Sequence, residues 1–218
     1  MELLHVQLRN QEKQDGSLDD VDAPDVCSPH WARLKGAGLW SSTPEHEGSW
    51  WWKCHSRVMA LAAAHCIISD IPSSYTLYFG RETQSGPNVH EVERTLSQII
   101  VHPDYNNTLF NNDIALMKLS SAVSFNDYIR PVCLASNSSQ FHNSTSCWGT
   151  GWGRLGKDED LPSAYSLQEV QVPVIGGKQC GCIYRSEINI TNEMICAGQE
   201  NKGTCQGDSV LLQHTVAP

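Results

Sequence analysis

Asp113-Ile114-Ala115-Leu116-Met117-Lys118-Leu119 alternates roughly between core-seeking and solvent-seeking positions, and it follows the turn-forming pair Asn111-Asn112. A period of two puts successive side chains on opposite faces of a strand. The same texture extends outward in both directions. Tyr75-Thr76-Leu77-Tyr78-Phe79 is rich in strand formers and ends at Gly80. Leu96 to Val101 is another apolar run, closed by His102-Pro103-Asp104. Val170, Val172 and Val174 alternate with polar neighbours or Pro173, and Trp148 and Trp152 sit among glycines. Many short strands separated by Gly, Pro and Asn predict an all-β sandwich or barrel. No long amphipathic helix pattern competes with this reading, and no internal repeat emerges.

Upstream, residues 1–48 are polar and irregular, with neither helical nor strand periodicity over a useful length, so a disordered or loosely attached segment is expected there. Trp50, Trp51 and Trp52 mark the start of a core-rich region and are expected to pack. The chain has 218 residues, enough to bury a real core as one large domain or two small ones. Its charged fraction of 18 % argues against global disorder. The net charge of -9, with no cluster of Lys and Arg, argues against a nucleic-acid partner. No apolar run approaches the ~20 residues of a membrane-spanning helix.

Nine cysteines spread along the chain fit disulfides in an oxidising compartment, and the odd number leaves at least one unpaired within the chain. N-glycosylation sequons at Asn106-Asn107-Thr108, Asn137-Ser138-Ser139, Asn143-Ser144-Thr145 and Asn189-Ile190-Thr191 point to the same secreted setting and to a glycoprotein. Residues 1–20 lack the apolar stretch of an export signal.

The chemistry-bearing residues come in the order His65, Asp113, Ser209. A serine hydroxyl is a poor nucleophile at neutral pH and needs a base within hydrogen-bond reach. Histidine suits that role, and a carboxylate behind the ring fixes its tautomer and stabilises the imidazolium. The backbone N–H groups of Gly207 and Ser209 are placed in sequence to form an oxyanion hole. Each residue alone has a plainer reading: a structural histidine beside Cys66, a turn or cap aspartate, and a surface Gly-Asp-Ser turn. The combination of local context and order favours the catalytic reading.

These strings resemble the trypsin/chymotrypsin family of serine endopeptidases over about residues 50–209. Ala63-Ala64-His65-Cys66 resembles the histidine box of that family, and Asn112-Asp113-Ile114-Ala115-Leu116 resembles its aspartate box. Arg130-Pro131-Val132-Cys133-Leu134 and Trp148-Gly149-Thr150-Gly151-Trp152-Gly153 resemble two internal signatures. Met194-Ile195-Cys196-Ala197-Gly198 and Cys205-Gln206-Gly207-Asp208-Ser209 resemble the approach to the nucleophile, and Gln179-Cys180-Gly181-Cys182 is similar to a prostasin-like, trypsin-type subgroup. The resemblance implies two six-stranded antiparallel β-barrels with the active site between them. An irregular segment would occupy residues 1–49, a first barrel about 50–130 and a partial second barrel about 131–218. It implies disulfides Cys54–Cys66 and Cys180–Cys196, Cys27 as the candidate partner of Cys133, protein or peptide substrates, and protein inhibitors as possible partners. No cofactor is implied. The leftover cysteines lack the spacing of a closed zinc site, so no metal is expected.

The pattern breaks in three places. After Ser209 the chain reads Val210-Leu211-Leu212 instead of two glycines and a proline, so a truncated second barrel is expected, with Cys147 and Cys205 unpaired and Cys182 unassigned. No Ile-Val-Gly-Gly-like start exists to supply an amine partner for Asp208; Arg33-Leu34-Lys35-Gly36 is the nearest string. The stretch between Cys54 and Cys66 is shorter than the family pattern. Gly203, six residues before Ser209, would form an uncharged base of the specificity pocket and favour small or apolar side chains over Lys or Arg. The expected function is a serine endopeptidase that is weak or inactive as this chain. The alternatives are a non-catalytic homologue acting as a binding protein and an aberrant product without its own function.

Overall fold

The structure is a computed structural model that describes residues 38–42, 52–132, 139–156, 159–185, 189–192, 194–199 and 213–214. For residues 38–42, 52–55, 154, 156, 159–160 and 213–214 only the backbone is described. Trp50, Trp51, Cys27, Cys133, Asn137, Gly203, Cys205, Gly207, Asp208 and Ser209 lie outside the described residues.

In chain order the strands are β1 Gly38–Ser42, β2 Trp52–Ser56, β3 Met59–Ala62, β4 Thr76–Arg81, β5 Val92–Val101, β6 Ala115–Leu119, β7 Ser146–Gly151, β8 Arg154–Gly156, β9 Glu159–Asp160, β10 Gln168–Ile175, β11 Cys196–Ala197 and β12 Gln213–His214. One short helix, α1 Gly177–Ile183, precedes β11. The architecture is mostly β, in keeping with the trypsin-like fold class. A six-stranded sheet runs β1-β4-β5-β6-β3-β2. Its two edge strands, β1 and β2, approach each other, so the sheet curls into a half-barrel. A second sheet runs β11-β10-β7-β12, and β8 pairs with β9.

Alternation explains the curled sheet. Ala115, Met117 and Leu119 of β6 point inward, while Lys118 between them is exposed. Leu77 and Phe79 of β4 are buried on the same core, and Ala60 and Ala62 of β3 pair with Met117 and Ala115. The small alanines let the strands converge on the larger Tyr75, Phe79 and Met117, all essentially inaccessible. The core closes with Leu96, Val123 and Ile129.

Two elements depart from the sequence reading. Gly38–Ser42, inside the stretch read as irregular, pairs antiparallel with β4, Ser42 opposite Thr76. An edge strand needs only backbone hydrogen bonds to a neighbour, so no apolar alternation announces it. Strand β5 also begins at Val92, four residues before the apolar run, with an irregular register between Leu96 and Gln98. Its first half is half-buried or exposed, which hides a strand from a hydrophobicity reading.

The second half of the chain is tied onto the first by hydrogen bonds. The Glu82 carbonyl accepts from Leu167 N–H at 2.8 Å and from Trp152 Nε1–H at 3.3 Å. Ser85 N–H donates to the Ser163 carbonyl at 2.9 Å. Trp152 and Leu161 bury beneath these contacts with Leu167 against them. Further along, Cys180 of α1 and Cys196 of β11 are joined by a disulfide that closes a separation of 16 residues. Cys147 is a buried free thiol and Cys182 an exposed one.

At the end of β4 the backbone turns at Gly80, with φ +72°. A Cβ there would stand 2.6 Å from the His90 carbonyl oxygen. The His90 ring stacks on Tyr128 at 3.6 Å, which holds this neighbour in place. Gly86 also has positive φ, +96°, but faces open space. The two sites therefore separate backbone strain from crowding. Gly86→Ala is expected to cost about 1 kcal/mol from the left-handed backbone alone. Gly80→Ala is expected to cost about 3 kcal/mol, because overpacking adds to the same strain. Urea unfolding of both variants checks this; equal midpoints would contradict it.

Candidate active site

Strands β3 and β6 run antiparallel with Ala62 opposite Ala115. Continuing that register past the strand ends brings Asp113 level with Ala64 and beside His65. There β3 gives way to a single 3-10 turn, Ala64–Cys66, whose buried members Ala64 and Cys66 fix it to the core. The turn leaves the His65 side chain 30 % exposed, while the Asp113 side chain behind it is only 3 % exposed. Asp113 is the one buried charged or polar residue among the described residues.

A carboxylate so deeply buried must have its lone pairs satisfied. One oxygen, Oδ1, accepts the His65 backbone N–H at 2.8 Å. The other, Oδ2, accepts from the ring at Nδ1 at 2.6 Å. An ionised carboxylate only accepts, so Nδ1 carries a proton and donates it to Asp113. This two-point grip fixes both the main chain and the ring plane of His65.

Burial is the largest influence on His65 and works against its charge. It is outweighed by the hydrogen bond to Asp113, by the hydrogen bond and charge of Cys66, and by the charge of Asp113, which together raise the pKa from 6.5 to about 10. Tyr105, packed against the same core, has its phenol pushed up by burial and by the charges of Asp113 and Cys66.

The resemblance placed Cys66 in a bridge to Cys54, but the structure holds Cys66 as a buried free thiol. The stretch between them is shorter than the family pattern. It closes as a tight hairpin with Cys54 opposite Ala60. The chain then runs on through β3 before it reaches Cys66, well past Cys54 in the ladder. The Cys54 side chain is not among those described.

Sequence reasoning missed the roof of the site. Phe110 sets its ring edge against His65, with centroids 5.9 Å apart and planes at 85°. Phe110 and Asn112 both have positive φ, 51° and 55°. Asn112 Nδ2–H donates to the Asp104 carbonyl at 3.0 Å, and Asn111 Oδ1 accepts from Thr191 Oγ1–H at 3.2 Å, which joins this loop to the second half of the chain. The clustered asparagines signal a turn, but nothing in the spacing says that its aromatic residue lies over a histidine. The structure thus brings His65 and Asp113 together, while Ser209, Gly207 and Gly203 lie outside the described residues.

Because folded His65 binds its proton more tightly than unfolded His65, this proton stabilises the fold in full below pH 6.5, and that stabilisation disappears as the pH rises toward 10. In Asp113→Asn the carboxylate is gone and burial is less opposed, so the His65 midpoint is expected to fall sharply toward 6.5. An NMR titration of the ring protons reads both values; an unchanged midpoint would show that Asp113 does not hold the charge.

The family description Trypsin matches residues 54–209. Tryptase of Mus musculus is 38 % identical over 158 residues, covering 68 % of this chain and 57 % of the relative. Testisin of Homo sapiens is 40 % identical over 166 residues, covering 69 % and 52 %, and serine protease 41 of Homo sapiens is 36 % identical over 165 residues, covering 71 % and 52 %. The chain spans about half the length of these curated relatives. With a matched stretch that takes in His65, Asp113 and Ser209, the chain belongs to the trypsin family of serine proteases.

Proposed function

We propose that the chain is a serine endopeptidase of limited activity, with His65, Asp113 and Ser209 as its triad. The observation that carries this reading is the two-point grip of the Asp113 carboxylate on His65, through the main-chain N–H and Nδ1. A carboxylate that only capped the turn would need the first contact alone. The second fixes the orientation of the ring, which a general base requires.

In this reading the curled sheet is the first barrel, and the sheet β11-β10-β7-β12 belongs to a second. Ser209 Oγ attacks the scissile carbonyl carbon and passes its proton to His65 Nε2. The N–H groups of Gly207 and Ser209 receive the developing oxyanion. His65 then gives the proton to the leaving amine, and water releases the acyl group by the same steps in reverse. Gly203 offers no charge to a substrate side chain, so small or apolar residues are preferred before the cleaved bond. The substrates are proteins or peptides. The disulfide and the sequons support action outside the cell.

The raised pKa of His65 supports the limited activity. Below about pH 10 the ring is mostly protonated and has no free electron pair for the Ser209 proton. Labelling by a fluorophosphonate probe is therefore expected to be slow at pH 7 and to rise steadily toward pH 10, and to be lost in Ser209→Ala and His65→Ala. Labelling that is unaffected in Ser209→Ala, or absent across that range, would overturn the catalytic reading. In the second case, with the His65–Asp113 pair intact by NMR, a non-catalytic binding homologue is left.

A further inference from the structure

The loop over His65 carries the sequon Asn106-Asn107-Thr108. Asn106 is exposed, and its Oδ1 accepts the N–H groups of Thr108 at 2.9 Å and Leu109 at 3.1 Å. Its own backbone N–H donates to the Asn111 carbonyl at 3.0 Å. Among the described residues its Nδ2 has no hydrogen-bond partner. The oxygen thus shapes the loop while the nitrogen, the atom that bears an N-linked sugar, is presented to water.

The other sequons are placed differently. The Asn143 side chain lies against Gly176, with Oδ1 accepting the Gly176 N–H at 2.9 Å. Thr191, the hydroxyl residue of the Asn189 sequon, donates to Asn111. Asn137 lies outside the described residues. Among the described residues, the Asn106 sequon lies on the loop whose Phe110 packs against His65. Leu109 and Phe110 at its tip are 51 % and 39 % exposed, and Phe110 touches the His65 ring. Two large apolar side chains thus stand in water beside the candidate base, close to a modifiable amide that needs no rearrangement to carry a sugar.

We propose that Asn106 carries an N-linked oligosaccharide that shades the Leu109–Phe110 tip and narrows the approach of folded proteins to His65. This rests on the extracellular setting proposed above. The transfer forms a bond from Asn106 Nδ2 to the first sugar carbon of a lipid pyrophosphate-linked oligosaccharide. The sugar–phosphate bond breaks, the lipid pyrophosphate leaves, and the amide nitrogen loses one proton. No oxidant or reductant is needed.

The test uses the full chain expressed in mammalian cells behind a supplied export signal, so that it does not depend on natural export or on Ser209 chemistry. Peptide mass spectrometry is expected to find oligosaccharide on Asn106 and none at that position in Thr108→Ala, which keeps the Asn106 side chain and both N–H donors. Thermolysin cleavage beside Leu109 and Phe110 is expected to be several-fold faster after enzymatic removal of the sugar, and equally fast in Thr108→Ala. An unmodified Asn106 in secreted chain whose Asn143 is occupied would overturn the proposal and leave the extracellular reading standing. An unmodified Asn106 in chain with every sequon empty would overturn the proposal and count against that reading as well. Occupancy without any effect on cleavage would overturn the shading role.

Discussion

The Asp113 carboxylate is the constraint around which the site is built. A charge taken so far out of water is tolerated only when its oxygens are fully engaged. Here both are engaged by one residue, His65, through the backbone N–H and the ring. The β3–β6 pairing delivers the two partners to the same place, since each lies just beyond the end of its strand. Removing the His65 ring would leave the deeply buried Asp113 carboxylate without its side-chain partner, so core stability and site geometry are coupled. The same coupling makes the histidine strongly basic. The contacts that orient it also hold its proton, and they do so in spite of burial.

Around this pair the remaining structure has separable tasks. The alanines of β3 and β6 allow close strand approach over Met117 and Phe79. Gly80 lets β4 end where the His90 segment crosses it. The Glu82 carbonyl, shared by Trp152 and Leu167, fastens the second half of the chain to the first. The contact between Thr191 and Asn111 does the same at the loop above His65. Both attachments are hydrogen bonds between distant segments, which require geometry and leave no periodic trace in the sequence.

What was legible in the sequence follows from that difference. Strands β4, β6 and β10 were readable because each buries one face, so Leu77 and Phe79, or Ala115, Met117 and Leu119, recur at a spacing of two. Strand β1 was not, because it sits among polar, irregular sequence and is marked by its backbone pairing with β4, and the first half of β5 was not, because it is half-buried or exposed. His65 and Asp113 were identifiable from their local strings, and their hydrogen bond gives the pairing a physical basis. The free thiol at Cys66 was not foreseen, although the shortened stretch after Cys54 was visible. The hairpin that follows, with Cys54 opposite Ala60, needs the ladder itself. The position of Phe110 was hidden for the same reason: its left-handed backbone is a property of the folded loop.

The account predicts that the proton-accepting face of His65 is turned toward the nucleophile. The most direct measurement is the separation between Ser209 Oγ and His65 Nε2 in an experimental structure of the chain at high pH. A distance of about 3 Å, with Asp113 still holding Nδ1, is the predicted result. A serine hydroxyl well beyond hydrogen-bond reach, with another group seated on Nε2, would contradict it.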